Sequence, residues 1–565
     1  MQATVNVTKE TTNWNRVNWR YSNRVVRNLR QRIFRATREQ NWKKVRSLQK
    51  LIMKCYSNTL LAVRRVTQQN SGKHTPGVDK LLVLTPEARG VLVDTLGKFI
   101  PWKPLPSRRV EIPKPNGKKR PLGIPSIIDR CLQAIVKNAL EPCWEAQFEG
   151  SSYGFRPGRS AHDAIEKIYG ICRPNKRKKW VVDADIQGCF DNIDHEYLMK
   201  CIGNFPSRKL IYQWLKSGVM EKGVFQETEH GTPQGGIVSP LLANIALHGM
   251  EEALGIKYDY RGQSIGKRIV VRYADDFCVF CETKEDALQC IEVIAGWLAQ
   301  RGLKISPEKT SIKHLTVGFD FLGFHIRHYR DSNTATGWKL LTKPSTKSVQ
   351  KVRAKLREIW LSPTRFRLLE LLRKLNSVIR GWANYFRTGV SKEIFSGLDQ
   401  WMFIRAKRHT KRMHPKKGWK WRQKRYFGSL NLHRRDKWVF GDKNQGTHIL
   451  KFSWFDIERH TLVKGIFSPD NPDLRDYWRE REKKKVKDLR NKSRQKIAKV
   501  QDHQCLRCGE SLYNGEELHL HHVKPKKEGG KDTYNNLRLL HLYCHQQIHG
   551  KNSLVDCSSR ILGNL

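Results

Sequence analysis

The sequence is short of acid. Its 565 residues carry 53 Asp+Glu against 106 Lys+Arg, so 106 − 53 leaves a formal net charge of +53. Such an excess repels itself unless much of it faces a polyanion, which narrows the partners to nucleic acid or an anionic membrane. A second absence argues against insertion in a membrane, because no run of eighteen apolar residues occurs. The start, MQATVNVTKETT, lacks the apolar core of a secretory signal. The expectation is therefore a protein that is not secreted, cytoplasmic in a bacterium or organellar. Cysteine is missing from the stretch between Cys290 and Cys505, with nine residues before it and four after. An odd total without a secretion signal points to a reducing compartment, where the scattered N-terminal cysteines read as small buried hydrophobes. Low-complexity segments and internal repeats are also absent. With 39% hydrophobic residues, 17 Trp and 21 Phe, the chain is no disordered basic tail. Its length suits about three to five domains.

What is present is unevenly distributed. Residues 23–66 read as two basic amphipathic helices, with Val26, Leu29 and Ile33 at helical spacing, then Trp42, Val45, Leu48 and Ile52. A packing stripe with a solvated basic face accounts for them better than direct RNA contact. From about 105 to 330, short apolar runs (RIVVRY, FCVFCE, WVVDADI) alternate with helical stretches, an α/β or α+β pattern. Residues 131–200 are neutral, with ten basic and ten acidic residues, whereas residues 351–430 hold 22 basic and 4 acidic, a net of +18, interleaved with twelve aromatics. Ser468-Pro469-Asp470-Asn471-Pro472 marks a break, since two prolines among turn formers end regular structure.

The most informative peptide is Tyr273-Ala274-Asp275-Asp276, set between two apolar strands. Adjacent acids at a strand tip usually make a solvated turn. Here a second strand, WVVDADIQGCFDNID, brings Asp185 to the end of another apolar run. Three carboxylates on neighbouring strand ends can hold two divalent cations roughly 3.5–4 Å apart, the electrostatic requirement of nucleotidyl transfer.

Four blocks, IPKPNGKKRPLGIP, DIQGCFDNID, GTPQGGIVSPLLANI and YADD, span about 170 residues. Together they resemble a group II intron-encoded reverse transcriptase and maturase. The resemblance implies a right-hand polymerase and makes Asp185, Asp275 and Asp276 the ligands of two Mg²⁺ ions, with Asp191 and Asp194 structural. It places Phe190 where an aromatic ring crowds the sugar 2′-carbon and rejects ribonucleotides; as a residue alone, Phe190 reads equally as core. Lys114 and Arg120, at a Pro/Gly-rich hairpin, would clamp the incoming triphosphate. Gln234 lies in the glycine-rich block whose backbone would support template or nucleotide. Gly323, in FDFLGFHI, resembles the primer-gripping hairpin. LRKLNSVIRGWANYFRTGV resembles the family's thumb and maturase region, where Arg and Lys suit phosphates and Trp and Tyr suit stacking or helix packing.

In the tail, Cys505-x-x-Cys508 and His541-x-x-Cys544 are 32 residues apart, a spacing suited to one structural Zn²⁺. Some relatives carry Cys where His541 stands, which leaves its ligation open. Between and after the knuckles, His519-Leu520-His521-His522, Asn535-Asn536-Leu537, His545 and His549 resemble the HNH nuclease motif. The resemblance makes His522 the general base and Asn536 the residue that fixes the loop aiming it. His521, His545 and His549 would hold a divalent metal. His519 is expected to be merely exposed. A degenerate finger that only binds DNA is the bland alternative.

The expected architecture is multidomain α+β: right-hand polymerase fingers and palm, α-helical thumb (maturase domain X), DNA-binding segment and a zinc-containing ββα-metal HNH domain. The expected bounds are 1–100 for an N-terminal helical extension, 101–335 for fingers and palm, 336–430 for thumb and maturase, 431–500 for a basic DNA-binding connector and 501–565 for the HNH domain. Expected partners are group II intron RNA, double-stranded target DNA and dNTPs, with no membrane and the oligomeric state open. Expected activities are RNA-directed DNA polymerase, splicing maturase and HNH DNA endonuclease, nicking target DNA for target-primed reverse transcription and intron mobility. The rivals are a splicing-only RNA-binding maturase and another reverse transcriptase class.

Overall fold

Asn18 and Asn41 each turn a side-chain oxygen onto the third backbone N–H of a helix, so the N-terminal basic stretch opens with two capped helices, Trp19–Arg38 and Trp42–Met53. A third, Tyr56–Arg64, corrects the expectation of two. Val26, Leu29, Ile33, Val45, Leu48 and Ile52 are buried as their spacing predicts, but Trp42 is 46% exposed, because the first helical position lies beyond the packed face. The computed structural model describes residues 11–98, 101–113, 119–233, 235–260, 264–362, 368–431, 433–484 and 492–549; Lys114 and Gln234 lie outside the described residues.

These helices rest on Ile127–Glu145, and that helix shares a core with a four-stranded antiparallel sheet in the order Ser311–His314, Trp180–Asp185, Asp276–Cys281, Ile269–Tyr273. Alternation sorts the sheet's side chains to two faces. Val182, Ala184, Phe277 and Val279 join the core that includes the N-terminal helices. Val181, Val271, Cys278 and Phe280 join the core beneath the C-terminal helices. Burial on both faces explains why these strands read as continuous apolar runs. A second sheet pairs the hairpin Ser107–Pro113 and Lys119–Ile124 with Val219–Glu221 and Val224–Gln226.

Three further strands follow, Phe319–Phe321, Phe324–Arg330 and Trp338–Pro344. The tight turn at Leu322-Gly323 has positive φ at both residues, the geometry a two-residue hairpin requires. Beyond it, Thr346–Leu361, Leu368–Phe386, Lys392–Met413 and Trp419–Tyr426 form a helical region. Most of its aromatics pack against the core, as Trp360, Phe386, Phe395 and the half-buried Trp382 do, while Trp421 stays exposed. The segment after it is not uniformly a connector. Val439, Phe440, Ile449, Phe452 and Phe455 enter the same core, because apolar residues spaced along a small sheet are driven under the helices, whereas Arg475–Lys484 buries none of its residues.

The C-terminal unit is a hairpin, Leu518–His522 against Leu537–His541, followed by the helix Leu542–His549. Its apolar side chains Leu537, Leu539 and Leu540 share one cluster with Trp14, Trp19, Val63 and Ile135. The tail is thus packed on the N-terminal helices.

Candidate functional site

Strand register brings the predicted carboxylates together. Asp185 ends the strand Trp180–Asp185 and is the direct partner of Asp276, which opens Asp276–Cys281; Asp275 occupies the turn that joins Ile269–Tyr273 to Asp276–Cys281. Ala274 holds a positive φ of 59° in that turn. The turn is supported from below: buried Arg272 donates to the Ala274 carbonyl at 3.2 Å and to Asn244 at 3.1 Å, and Asn244 donates to the Gly154 carbonyl at 2.8 Å. A Cβ on Gly154 would meet the Ala274 nitrogen at 2.4 Å, so this close approach requires glycine.

Crowding the acids raises their proton affinity. Burial lifts Asp275 above the ordinary carboxylate range, and Asp185 adds to it, while Arg120 and Lys309 oppose. Burial, then Asp275 and Asp185, push Asp276 up to about 7. An all-oxygen cluster whose burial and mutual repulsion raise its proton affinity fits hard divalent cations such as Mg²⁺. One cation present was not foreseen: Lys309 makes an ion pair with Asp185, its side chain 65% exposed. The pairing of Asp185–Gln187 with Lys304–Ser306 brings it there, through Ser306 N–H to the Asp185 carbonyl and Gln187 N–H to the Lys304 carbonyl.

Phe190 is half-buried against the core, with its ring 6.2 Å from that of Phe155. Phe155 is 51% exposed and has a positive φ of 60°, so the loop projects a second ring beside the first. The glycine-rich block folds onto the Phe190 turn: Thr232 N–H donates to the Phe190 carbonyl at 2.6 Å and Gly231 N–H to the Ile193 carbonyl at 2.8 Å. Asp194 caps a helix by accepting from Tyr197 N–H at 2.7 Å. Arg120 pairs with Ile112 across the hairpin. The Tyr385 hydroxyl donates to the Leu322 carbonyl at 2.9 Å, tying the Leu322-Gly323 turn to the helical region.

Two clusters occupy the tail. Cys505, Cys508, His541 and Cys544 are all buried, with ligand atoms within 4.8 Å of one another. His541 Nε2 faces the Ser511 carbonyl at 3.1 Å and Nδ1 faces Cys508 Sγ at 3.3 Å. The carbonyl selects the tautomer that leaves Nδ1 as the ligand, and three soft sulfurs with one imidazole suit zinc. The second cluster is His521, His545 and His549, also within 4.8 Å. Burial, with neighbouring imidazoles adding, lowers the proton affinity of His521 and His545, so both favour the neutral form a metal needs. His519 is not simply exposed: two residues before His521 on one strand face, its ring lies 5.4 Å from His545.

His522 points away from that trio, with Nε2 at 2.6 Å from Asp532 Oδ1. Sequence reasoning missed Asp532, which lies in a loop with no motif of its own. Asn536 spans that loop, accepting from Lys524 N–H at 2.7 Å and donating to the Lys524 and Lys531 carbonyls at 3.0 Å each.

Four family models match successive stretches of the chain. Residues 14–96 match the family model described as the N-terminal domain of reverse transcriptase, and residues 112–326 match reverse transcriptase (RNA-dependent DNA polymerase). Residues 349–427 match the group II intron, maturase-specific domain, and residues 505–551 match HNH endonuclease. Protein YkfC of Escherichia coli is 35% identical over 306 residues, covering 47% of this chain and 80% of its own length. The group II intron-encoded protein LtrA of Lactococcus lactis is 31% identical over 406 residues, covering 56% of this chain and 66% of its own. The putative COX1/OXI3 intron 1 protein of Saccharomyces cerevisiae is 27% identical over 331 residues, or 49% of this chain and 39% of its own.

Proposed function

The chain belongs to the family of group II intron-encoded reverse transcriptases and maturases with a C-terminal HNH endonuclease domain, and from that premise we propose how its residues divide the work. It is an RNA-directed DNA polymerase, a maturase assisting intron splicing and a DNA endonuclease. The observation that carries the polymerase assignment is the register of Asp185 against Asp276 with Asp275 in the adjoining turn.

In the polymerase, Asp185, Asp275 and Asp276 would hold two Mg²⁺ ions. When bound, the ions activate the primer 3′-hydroxyl and neutralise the triphosphate and leaving group. Arg120 and Lys114 would fix the triphosphate, while Phe190, backed by Phe155, would exclude a sugar 2′-hydroxyl. Gln234 and its glycine-rich block would support the base pair, and the Leu322-Gly323 turn would hold the primer strand. Arg272 and Asn244 keep the Asp275 turn in place. The +18 region and its exposed basic face would bind intron RNA, the polyanion that the composition demands.

In the tail, zinc at Cys505, Cys508, His541 and Cys544 would be structural. His522, oriented by Asp532, would take the proton of the attacking water. His521, His545 and His549 would hold a divalent ion that stabilises the cleaved phosphate. The nick would supply the 3′-hydroxyl for copying the intron RNA into double-stranded target DNA. No helix among the described residues is long and apolar enough to cross a membrane. The natural setting we propose is bacterial cytoplasm or an organelle.

Extension of a primer on an RNA template with dNTPs and Mg²⁺ tests this reading. Purified protein that promotes splicing but extends no primer would overturn the assignment of the carboxylates and favour a splicing-only maturase.

A further inference from the structure

The strand that opens with Asp276 closes five residues later at a second cluster of metal-ligating side chains, which polymerase chemistry does not use. Cys281 ends the strand and Cys290 lies on the helix Lys284–Ala299, which packs against the sheet. Both residues are fully buried, and their sulfurs are 3.7 Å apart. Asp286, in the first turn of that helix, brings a carboxylate oxygen within 4.8 Å of both.

The surroundings show which oxygen is available. Arg268 donates to Asp286 Oδ1 from Nε at 2.9 Å and from Nη2 at 2.8 Å. Thr283 Oγ1 accepts from the Asp286 backbone N–H at 3.2 Å, which fixes the turn. The other carboxylate oxygen, Oδ2, is buried with no hydrogen-bond partner. Buried acceptors are rarely left in that state without an ion or a water.

We propose that Cys281, Cys290 and Asp286 form a structural site for a thiophilic divalent cation of the zinc class, distinct from the tail cluster. Two thiolates on one tetrahedral zinc, each at about 2.3 Å, stand roughly 3.8 Å apart, so the two sulfurs already have the required separation. Arg268 holds the carboxylate as ligating carboxylates are commonly held, by a hydrogen bond to the oxygen that does not ligate. Charge also closes. Two thiolates and one carboxylate carry three negative charges, which Arg268 and a divalent cation match. Binding releases the two thiol protons to solvent, and a water completes the tetrahedron. The consequence is mechanical: the cation ties the far end of the Asp276 strand to the helix packed against the sheet, stiffening the strand that positions the carboxylates.

The test is the metal content of full-length protein, purified with zinc under reducing conditions and measured by plasma mass spectrometry. The C281S/C290S double variant is expected to hold one zinc equivalent fewer per chain than the parent. Because only the difference is read, the result does not depend on how many ions the tail holds. D286N is expected to keep the fold, by circular dichroism, and to lose that equivalent to a chelator at roughly tenfold lower concentration. Equal zinc in parent and double variant, both folded, would overturn the site. So would conversion of the two thiols to a disulfide by peroxide, with two waters formed per disulfide, while the reduced proteins carry equal zinc; the pair would then be a redox dithiol. If the double variant does not fold, C290S and D286N singly give the readout. Retention of the equivalent by both at the chelator concentration the parent withstands overturns the proposal.

Discussion

The guanidinium of Arg64 donates a hydrogen bond of 3.2 Å to the thiol of Cys544, joining an N-terminal helix to the zinc-type cluster 480 residues later. The same guanidinium lies 4.5 Å from the ring centroid of Trp19. Around it Asn23 donates to the Cys508 carbonyl, and Gln547 donates to the carbonyls of Asn15 and Val17. The tail cluster is therefore part of an interface, and its sulfurs lie beside a buried cation.

Arg64→Ala should loosen that interface. A hydrogen bond that involves a charged group contributes about 1.5–3 kcal/mol, so zinc should leave to a chelator more than tenfold faster and limited proteolysis should release the tail. RNA-templated extension should stay near the parent rate. Unchanged zinc release and proteolysis would mean that the contact contributes nothing to docking.

Magnesium dependence should follow pH. Asp276, raised to about 7, must lose its proton to bind a cation, so the apparent Mg²⁺ affinity in primer extension should increase as pH rises through 7 and level off above it. The linkage sign is that of an acid whose folded-state value is raised. Without metal, the fold loses stability as pH climbs from the ordinary Asp range through 7, and Mg²⁺ restores it. Thermal melts at pH 6 and 8 with and without Mg²⁺ check both halves. Lys309→Ala removes the cation that pairs with Asp185 and should lower the Mg²⁺ concentration needed for half-maximal extension, by about two- to tenfold.

Nicking should depend on the pair His522 and Asp532. His522→Ala should abolish nicking of target DNA, and Asp532→Asn should reduce it by about 10- to 100-fold, because the imidazole loses its orienting carboxylate. Primer extension should persist in both. Loss of both activities in either variant would instead indicate a folding defect.

Phe190→Ala should raise ribonucleotide incorporation relative to deoxyribonucleotide by more than tenfold, measured as the ratio of kcat/KM values. If Phe190 serves only the core against which it packs, the melting temperature falls and that ratio does not move.

Much of this was legible locally. The strand tips bearing Asp185 and Asp276 are readable because apolar runs that stop at an acid imply a buried sheet ending at solvent. The tail knuckles are readable because a two-residue spacer places both ligands on one turn. Other features resisted. Three helices stand where two were expected, since the boundary at Lys54-Cys55 carries no strong breaker. The apolar residues 439–455 sit in a basic stretch, and composition alone hid their place in the core. Asp532 in a loop and Lys309 at the end of a short 3-10 helix are charged residues indistinguishable from solvated ones until the fold supplies a partner.

By itself the sequence determined the chemistry on offer: a polyanion-seeking excess of +53, three acids at strand ends, and thiols and imidazoles at metal-ligand spacing. These are properties of neighbours along the chain, set by periodicity and side-chain type. Only the tertiary structure decided which distant groups meet. Lys309 reaches Asp185 across 124 residues, and Arg64 reaches Cys544 across 480. Such meetings depend on how every intervening element packs, and no local spacing encodes them.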